Sequence, residues 1–278
     1  MILDGKLTAT YVRKQVAEEV RRINDTVTLA LIMVGNNPAS QVYVRNKQKA
    51  CDEVGISVES FFLDENTSQK ELLTIIENCN KNPKVNGILV QLPLPTHIEE
   101  KIVVNSIDPE KDVDGLNTIN QGKLMVGEEG LVPATPKGVI TLLKSNNIDI
   151  QSKNVVVVGR SKLVGKPLAM LFLNENATVT IAHSKTANLK EVTKKADILV
   201  AAVGKPKFIV ADMVKRDCVV VDVGINRLDG KLCGDVDYEG VSEVASFVTP
   251  VPGGVGPMTI ATLLENVLRC YKRQNGLY

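Results

Sequence analysis

Val155–Pro167, VVVVGRSKLVGKP, is the stretch from which the fold is read. Its four consecutive valines predict a strand buried on both faces, as in a parallel sheet covered by helices. The strand ends at Gly159 and a short loop runs from Arg160 to Lys166. Pro167-Leu168-Ala169-Met170-Leu171-Phe172 then opens a helix with proline in its first turn. Strand, glycine turn and helix start are the parts of a dinucleotide site, because free backbone N–H groups and a positive helix end favour a pyrophosphate. The order Gly159, Ser161, Gly165 departs from the G-x-G-x-x-G spacing, so the turn alone reads either as such a site or as a plain strand–helix connection.

Outward from this centre, Thr178–Ala182, Asp197–Val203 and Cys218–Val223 predict three more strands. Each runs into a polar or glycine stretch: His183-Ser184-Lys185-Thr186, Gly204-Lys205-Pro206 and Gly224-Ile225-Asn226. Strands alternating with helical segments predict an α/β fold with a parallel, Rossmann-type sheet and a ligand crevice at the strands' carboxyl ends. An NAD site places Asp or Glu about 20 residues beyond the glycine turn, on the ribose 2′-hydroxyl. Here that place holds His183 to Thr186 and no carboxylate, and Arg160 sits in the turn. A cationic pocket with hydroxyls suits a 2′-phosphate, so NADP is expected rather than NAD; the bland reading is a solvated basic loop.

The first third predicts a separate α/β set. Residues 6–23 read as a helix with Leu7, Tyr11, Val12, Val16, Val20 and Ile23 on its apolar face. Thr28–Val34 reads as a buried strand, Asn37-Pro38 as a helix cap and first turn, and Ser57–Leu63 as a second strand. On the intervening helix Tyr43, Lys47, Ala50 and Val54 share a face. Lys47 thus stands where a core residue is expected. It reads either as an amine tuned for proton transfer or as a snorkelling lysine whose head reaches water. Ser68 with Glu71 makes a capping box, and Gly87–Leu92 a third strand interrupted by Gln91, whose amide needs partners. Asp112 and Asp114, in Asp108–Asn117, read as an exposed turn rather than a metal site. Thr249–Thr259, TPVPGGVGPMT, is either a shaped crossover or backbone brought close to a flat ligand.

Composition bounds the class. The 278 residues suggest one large or two ordinary domains, and a net charge of +1 gives no reason to expect nucleic acid or an anionic membrane as partner. No apolar run approaches the ~20 residues needed to span a bilayer, and Met1 to Lys14 shows no secretory pattern. The five cysteines include no C-x-x-C pair and the chain has two histidines, so neither a disulfide framework nor a metal site is predicted. A cytoplasmic protein with reduced thiols is expected.

Five motifs occur in order: Tyr43-x-x-x-Lys47-x-Lys49-Ala50, Gly87 to Pro95 (GILVQLPLP), Asp112-Val113-Asp114-Gly115, Gly159-Arg160-Ser161, and Pro252 to Thr259 (PGGVGPMT). Together they resemble the bifunctional methylenetetrahydrofolate dehydrogenase/cyclohydrolase family over nearly the whole chain. The resemblance implies NADP-dependent oxidation of 5,10-methylenetetrahydrofolate to the methenyl compound, then hydrolysis to 10-formyltetrahydrofolate, in one-carbon supply for purine biosynthesis. It implies Lys47 as general acid/base tuned by Gln91, Tyr43 stacked on the folate, and Asp114 on the pterin edge. Leu92, Pro93, Pro252 and Gly253 would contact substrate, and Gly159, Arg160, Ser161, Ser184 and Ile225 would line the NADP site. It also implies a folate-binding domain of residues 1–125 plus 255–278, an NADP-binding domain of residues 126–254, and a homodimer formed through the latter. Two competing expectations are an NADP oxidoreductase of the same build acting on another small substrate, and a non-catalytic folate or nucleotide sensor. The retained Lys47 and Gln91 speak against the sensor.

Overall fold

The computed structural model describes residues 1–277, which form two compact units. One unit comprises Tyr11–Ala134 and the stretch from Ile260 onward; the other comprises Met1–Thr10 and Thr135–Thr259. The divisions fall at 134/135 and 259/260 rather than at the expected 125/126 and 254/255. Residues 1–10, expected with the folate half, group with the other unit for a simple reason. Ile2 pairs with Val248, the Leu3 amide donates to the Val248 carbonyl at 2.9 Å, and the Lys6 amide donates to the Gly253 carbonyl at 3.0 Å.

The first unit holds β1 (Thr28–Val34), α2 (Pro38–Val54), β2 (Ser57–Leu63), α3 (Gln69–Lys81), β3 (Gly87–Val90), α4 (Glu100–Ser106) and α5 (Thr118–Val126). Part of α1 (Gly5–Val20) and most of α10 (Val255–Gln274) belong to it as well. Its sheet is parallel in the order β2-β1-β3. The central strand, TLALIMV, is buried almost throughout, as a strand covered on both faces requires. Leu263, Leu264, Val267 and Leu268 of α10 pack into the same core as Leu29 and Leu31 of β1. Burying one such aliphatic side chain stabilises by about 1.5–3 kcal/mol.

The second unit adds α6 (Ala134–Ser145), β4 (Asn154–Val158), α7 (Gly165–Asn174), β5 (Thr178–Ala182), α8 (Leu189–Thr193), β6 (Ile198–Ala201) and β7 (Val219–Asp222). The hairpin β8 (Asn226–Leu228) and β9 (Lys231–Cys233), α9 (Tyr238–Ser242) and β10 (Phe247–Val248) follow. Its five parallel strands run β10-β7-β6-β4-β5. The chain leaves β4 for β5 on one side and returns to β6 on the other, so the strand order reverses at β4, where the carboxyl ends leave a crevice. β10 and the hairpin β8–β9 were not anticipated, because their two or three residues each are too short to show a period.

Three local expectations change. The buried face of α1 is Thr8, Ala9, Val12, Val16, Ala17 and Val20, whereas Leu7 and Tyr11 are exposed. Gln91 is the first residue after β3 and not part of it. The Asp108–Asn117 segment is no exposed turn: Lys111, Asp112, Val113 and Asn117 are buried.

Lys111 is 6% exposed, and its ammonium donates to the carbonyls of Cys79 (3.1 Å), Asn80 (2.8 Å) and Asn82 (2.8 Å). Three donors thus meet three carbonyls that the C-terminal end of α3 leaves without helical partners. Burial pulls the Lys111 pKa below its ordinary value. The Lys111→Met variant, which keeps the volume and removes the donors, is expected to lose about 2–3 kcal/mol of stability, read from urea unfolding midpoints. An unchanged midpoint would remove Lys111 from this role.

Candidate functional site

In the first unit, β1 delivers the chain into α2, whose start is fixed by the Asn37 side chain accepting from the amides of Ala39 and Ser40, with Pro38 at the first position. Lys47, three turns on, is half-buried, and its Nζ donates to Gln91 Oε1 at 3.0 Å. The Gln91 amide donates to the Ile32 carbonyl at 2.8 Å, and its side-chain Nε2 donates to the Leu92 carbonyl at 2.6 Å. With Nε2 committed there, the carboxamide presents its oxygen, and not its nitrogen, to the lysine. Lys47 is therefore neither a sealed core amine nor a free surface lysine but a partly exposed amine held by one acceptor.

Tyr43 departs from expectation. It is 43% exposed, while Val44, Ala50, Cys51 and Val54 supply the buried face of α2. The i, i+4 spacing put Tyr43 on the side of Lys47 correctly, but that side is the rim of the core. Leu92 is half-buried and Pro93 exposed; the Leu92–Pro93 and Val251–Pro252 peptides are both cis.

Asp112 and Asp114 differ in environment. Asp112 is 1% exposed and accepts from the Asn117 amide at 2.8 Å and Asn120 Nδ2 at 3.0 Å. Burial is the main cause that pushes its carboxyl up to about 6, with Asp114 a smaller one. Asp114 itself is half-buried. Asn266 of α10 donates to the Val113 carbonyl (2.8 Å) and the Val132 carbonyl (2.9 Å), so the Asp112–Gly115 loop is held from within and from the terminal helix. Sequence reading missed this frame, although an Asp-Val-Asp-Gly run followed by two asparagines offers donors at turn spacing.

In the second unit a cavity of about 290 Å³ opens at the ends of β4, β5 and β6. Gly159, Arg160, Ser161 and Ser184, all expected at a nucleotide, line it, together with His183 and Lys205, which belong to the expected strand-end stretches but not to the site residues that the resemblance implies. Gly159 has φ +137°, and a Cβ there would lie 2.2 Å from the Ala202 carbonyl oxygen, so only glycine lets β4 turn here. The Ser161 hydroxyl accepts from the amides of Val164 and Gly165 at the start of α7, at 3.1 and 3.3 Å. The cavity thus offers a glycine turn, a guanidinium, an ammonium and hydroxyls without a carboxylate, which fits a phosphorylated dinucleotide. Ile225 is not in it. That residue lines a second cavity of about 140 Å³ with Gly224, Pro252 and Gly253, so Pro252 and Gly253 stand with a predicted cofactor residue.

A parallel sheet whose reversal strand ends in a glycine turn beneath such a cavity is a dinucleotide-binding unit, and the other unit holds a partly exposed lysine hydrogen-bonded to a glutamine. The two define a nucleotide-dependent α/β enzyme. Residues 3–114 match the catalytic domain, and residues 133–275 the NAD(P)-binding domain, of tetrahydrofolate dehydrogenase/cyclohydrolase. The chain belongs to the tetrahydrofolate dehydrogenase/cyclohydrolase family. It is 54% identical to the bifunctional protein FolD of Bacillus subtilis over 276 residues, covering 98% of each chain. The crystal structure of the bifunctional enzyme FolD from Campylobacter jejuni superposes with a TM-score of 0.96 at 48% identity, covering 98% of this chain and 99% of that one. The Trypanosoma brucei enzyme, solved with NADP cofactor and inhibitor, gives 0.93 at 36% identity over 98% and 97% of the two chains. Among the described residues no group of three or more His, Cys, Asp or Glu side chains is arranged to hold a metal, and no helix is long and apolar enough to cross a membrane.

The Asp112 environment generates a pH prediction. Its folded pKa, about 6, exceeds the ordinary 3.8, so the folded chain holds this proton more tightly than the unfolded one. The favourable contribution is present below about pH 4 and is lost as pH rises through about 6. Wild type is therefore expected to gain stability relative to Asp112→Asn as pH is lowered across that window, followed by chemical denaturation at each pH. A difference independent of pH would refute it.

Proposed function

We propose that this protein oxidises 5,10-methylenetetrahydrofolate to the 5,10-methenyl compound and hydrolyses that to 10-formyltetrahydrofolate, as a bifunctional dehydrogenase/cyclohydrolase. The observation that carries the reading is the 3.0 Å hydrogen bond from Lys47 Nζ to Gln91 Oε1. In the hydrolytic step water adds to the methenyl carbon, and the carbon–nitrogen bond to one ring nitrogen then breaks. Lys47, as the amine, takes a proton from the attacking water; as the ammonium, it returns a proton to the departing nitrogen. Gln91 keeps the amine aimed without holding a charge of its own, so it orients Lys47 in both protonation states. The exposed ring of Tyr43 offers a flat face for stacking, Asp114 a carboxylate for pterin N–H groups, and Leu92 and Pro93 apolar contacts.

NADP is the cofactor this reading assigns. When bound, it supplies the acceptor for the hydride leaving the methylene carbon. Arg160, Ser161 and Ser184 would hold the phosphate-bearing end, for which the absence of a carboxylate at His183–Thr186 argues. Ile225, Pro252 and Gly253, sharing the second cavity, would hold the other end. Pro252 and Gly253 thereby move from expected substrate contacts toward the cofactor.

The deciding assay follows absorbance with 5,10-methylenetetrahydrofolate and either NADP or NAD. NADPH formation without build-up of the methenyl chromophore, and faster turnover with NADP than NAD, is expected. Lys47→Met should slow methenyl hydrolysis by at least about 100-fold while NADP affinity stays within about twofold of wild type. Unchanged hydrolysis in that variant would sink the role of Lys47, and no turnover with either nucleotide would sink the reading.

We infer further that the protein is a homodimer paired along β5. Among the described residues that strand pairs only with β4, and its outer edge carries exposed Thr178, Thr180 and Ile181, with Leu173 of α7 also exposed. An open strand edge with apolar neighbours is a template for pairing with a second copy. Light scattering is expected to give twice the 30.2 kDa chain mass, and Ile181→Lys to lower it to one chain. A single-chain mass for wild type would refute the inference.

A further inference from the structure

Asp235, just after β9, is fully buried, and its carboxylate accepts four hydrogen bonds. Oδ2 accepts from the amides of Val203 (2.6 Å) and Gly204 (2.9 Å); Oδ1 accepts from the Lys205 amide (2.8 Å) and from Asn226 Nδ2 (2.9 Å). Val203 and Lys205 line the larger cavity, and Asn226 follows Ile225, which lines the smaller one. One carboxylate therefore ties the walls of both cavities together.

A second carboxylate backs it. Asp222, at the end of β7 and 3% exposed, accepts from the amides of Gly224, Asp235 and Val236, each at 2.9 Å. The backbone is shaped around the pair. A Cβ on Gly224 would lie 2.3 Å from the Asp235 carboxylate, and one on Gly234 would lie 1.8 Å from Asp222 Oδ2. Neither aspartate is needed to close a strand, since β6 and β7 are already paired along their length. What the aspartates fix is the spacing between the loop after β6 and the loop after β7.

We infer that Asp235 is a positioning residue for the dinucleotide: it holds the Val203–Lys205 and Ile225–Asn226 loops at the separation that a molecule occupying both cavities requires. This rests on the NADP reading above. A ligand filling only the larger cavity needs one loop in place, whereas a full dinucleotide needs both. Loosening the tie should therefore penalise NADP more than its phosphorylated adenosine fragment.

The test is titration calorimetry of NADP and of 2′,5′-ADP into wild type, Asp235→Asn and Asn226→Ala. Asn226→Ala removes only the bond on the Ile225 side and keeps the buried carboxylate. It is expected to weaken NADP about fivefold and to leave 2′,5′-ADP within about twofold. Asp235→Asn, which also loses acceptors for the Val203–Lys205 amides, is expected to weaken NADP by more than about tenfold and 2′,5′-ADP by less. Should Asp235→Asn fail to fold, Asn226→Ala alone decides. NADP affinity within about twofold of wild type in Asn226→Ala, or equal losses for the two probes, would overturn the inference. Wild type failing to bind NADP would instead overturn the cofactor assignment.

Discussion

A parallel strand cannot turn directly into its neighbour, and in this protein that constraint sets where the chemistry lies. Every strand of both main sheets ends on the same side as its neighbours, so the loops leaving them gather at one edge of each sheet. At that edge β4 gives Gly159 and Arg160, β5 gives His183 and Ser184, β6 gives Val203 to Lys205, and β3 gives Gln91. The strands contribute almost no functional side chains. Strands β1, β3, β4 and β6 are almost wholly apolar because they are covered on both faces, whereas β2 and β5 at the sheet edges are part-exposed. The polar work is passed to the residues just beyond the strands.

How those residues are held differs between the units. In the three-stranded unit a neutral group, the Gln91 carboxamide, holds Lys47, and the Asp114 loop is held by the Asn266 carboxamide together with the buried Asp112. In the five-stranded unit, buried carboxylates gather main-chain amides, Asp235 taking three and Asp222 three. A carboxylate within a ring of N–H groups is a rigid tie, because each donor would lose a charge-assisted partner on moving away. A carboxamide facing an amine that must change protonation state is a milder one. The harder ties thus bound the nucleotide cavities, and the softer one touches the group assigned to move protons.

Much of this was legible in the sequence. β1 and β2 run Thr28–Val34 and Ser57–Leu63 as read, and the Ser68–Glu71 capping box and the Asn37 cap form as their spacing predicts. These signals are local, set by apolar runs and by side chains that bond their own backbone. Gly159, Arg160, Ser161 and Ser184 were brought together by counting strands. Illegible were the features decided by tertiary contact. Spacing tells which residues share a helix face and not which face meets the core, so Leu7, Tyr11 and Tyr43 were read as more buried than they are. Lys111 and Asp112 read as part of an exposed turn because a charged residue in a turn normally meets water; nothing local reveals that carbonyls or amides from elsewhere in the chain enclose them. Ile225, which the resemblance places with Gly159, Arg160, Ser161 and Ser184, lines a separate cavity, because a motif locates a loop and not the direction in which it leans.

The ammonium of Lys111 sits on the carbonyls at the end of α3, and the side chain of Asn80 bonds both the Ser106 carbonyl and the Asp108 amide. The last turn of a helix ordinarily frays alone. Here fraying would strip a buried cation of its acceptors and release the start of the loop that carries Asp114, so the two segments form one cooperative opening unit. Their amides should exchange with solvent at a common rate, slower than that of other helix ends. The segment assigned to recognise the pterin is then as long-lived as the helix it is fastened to.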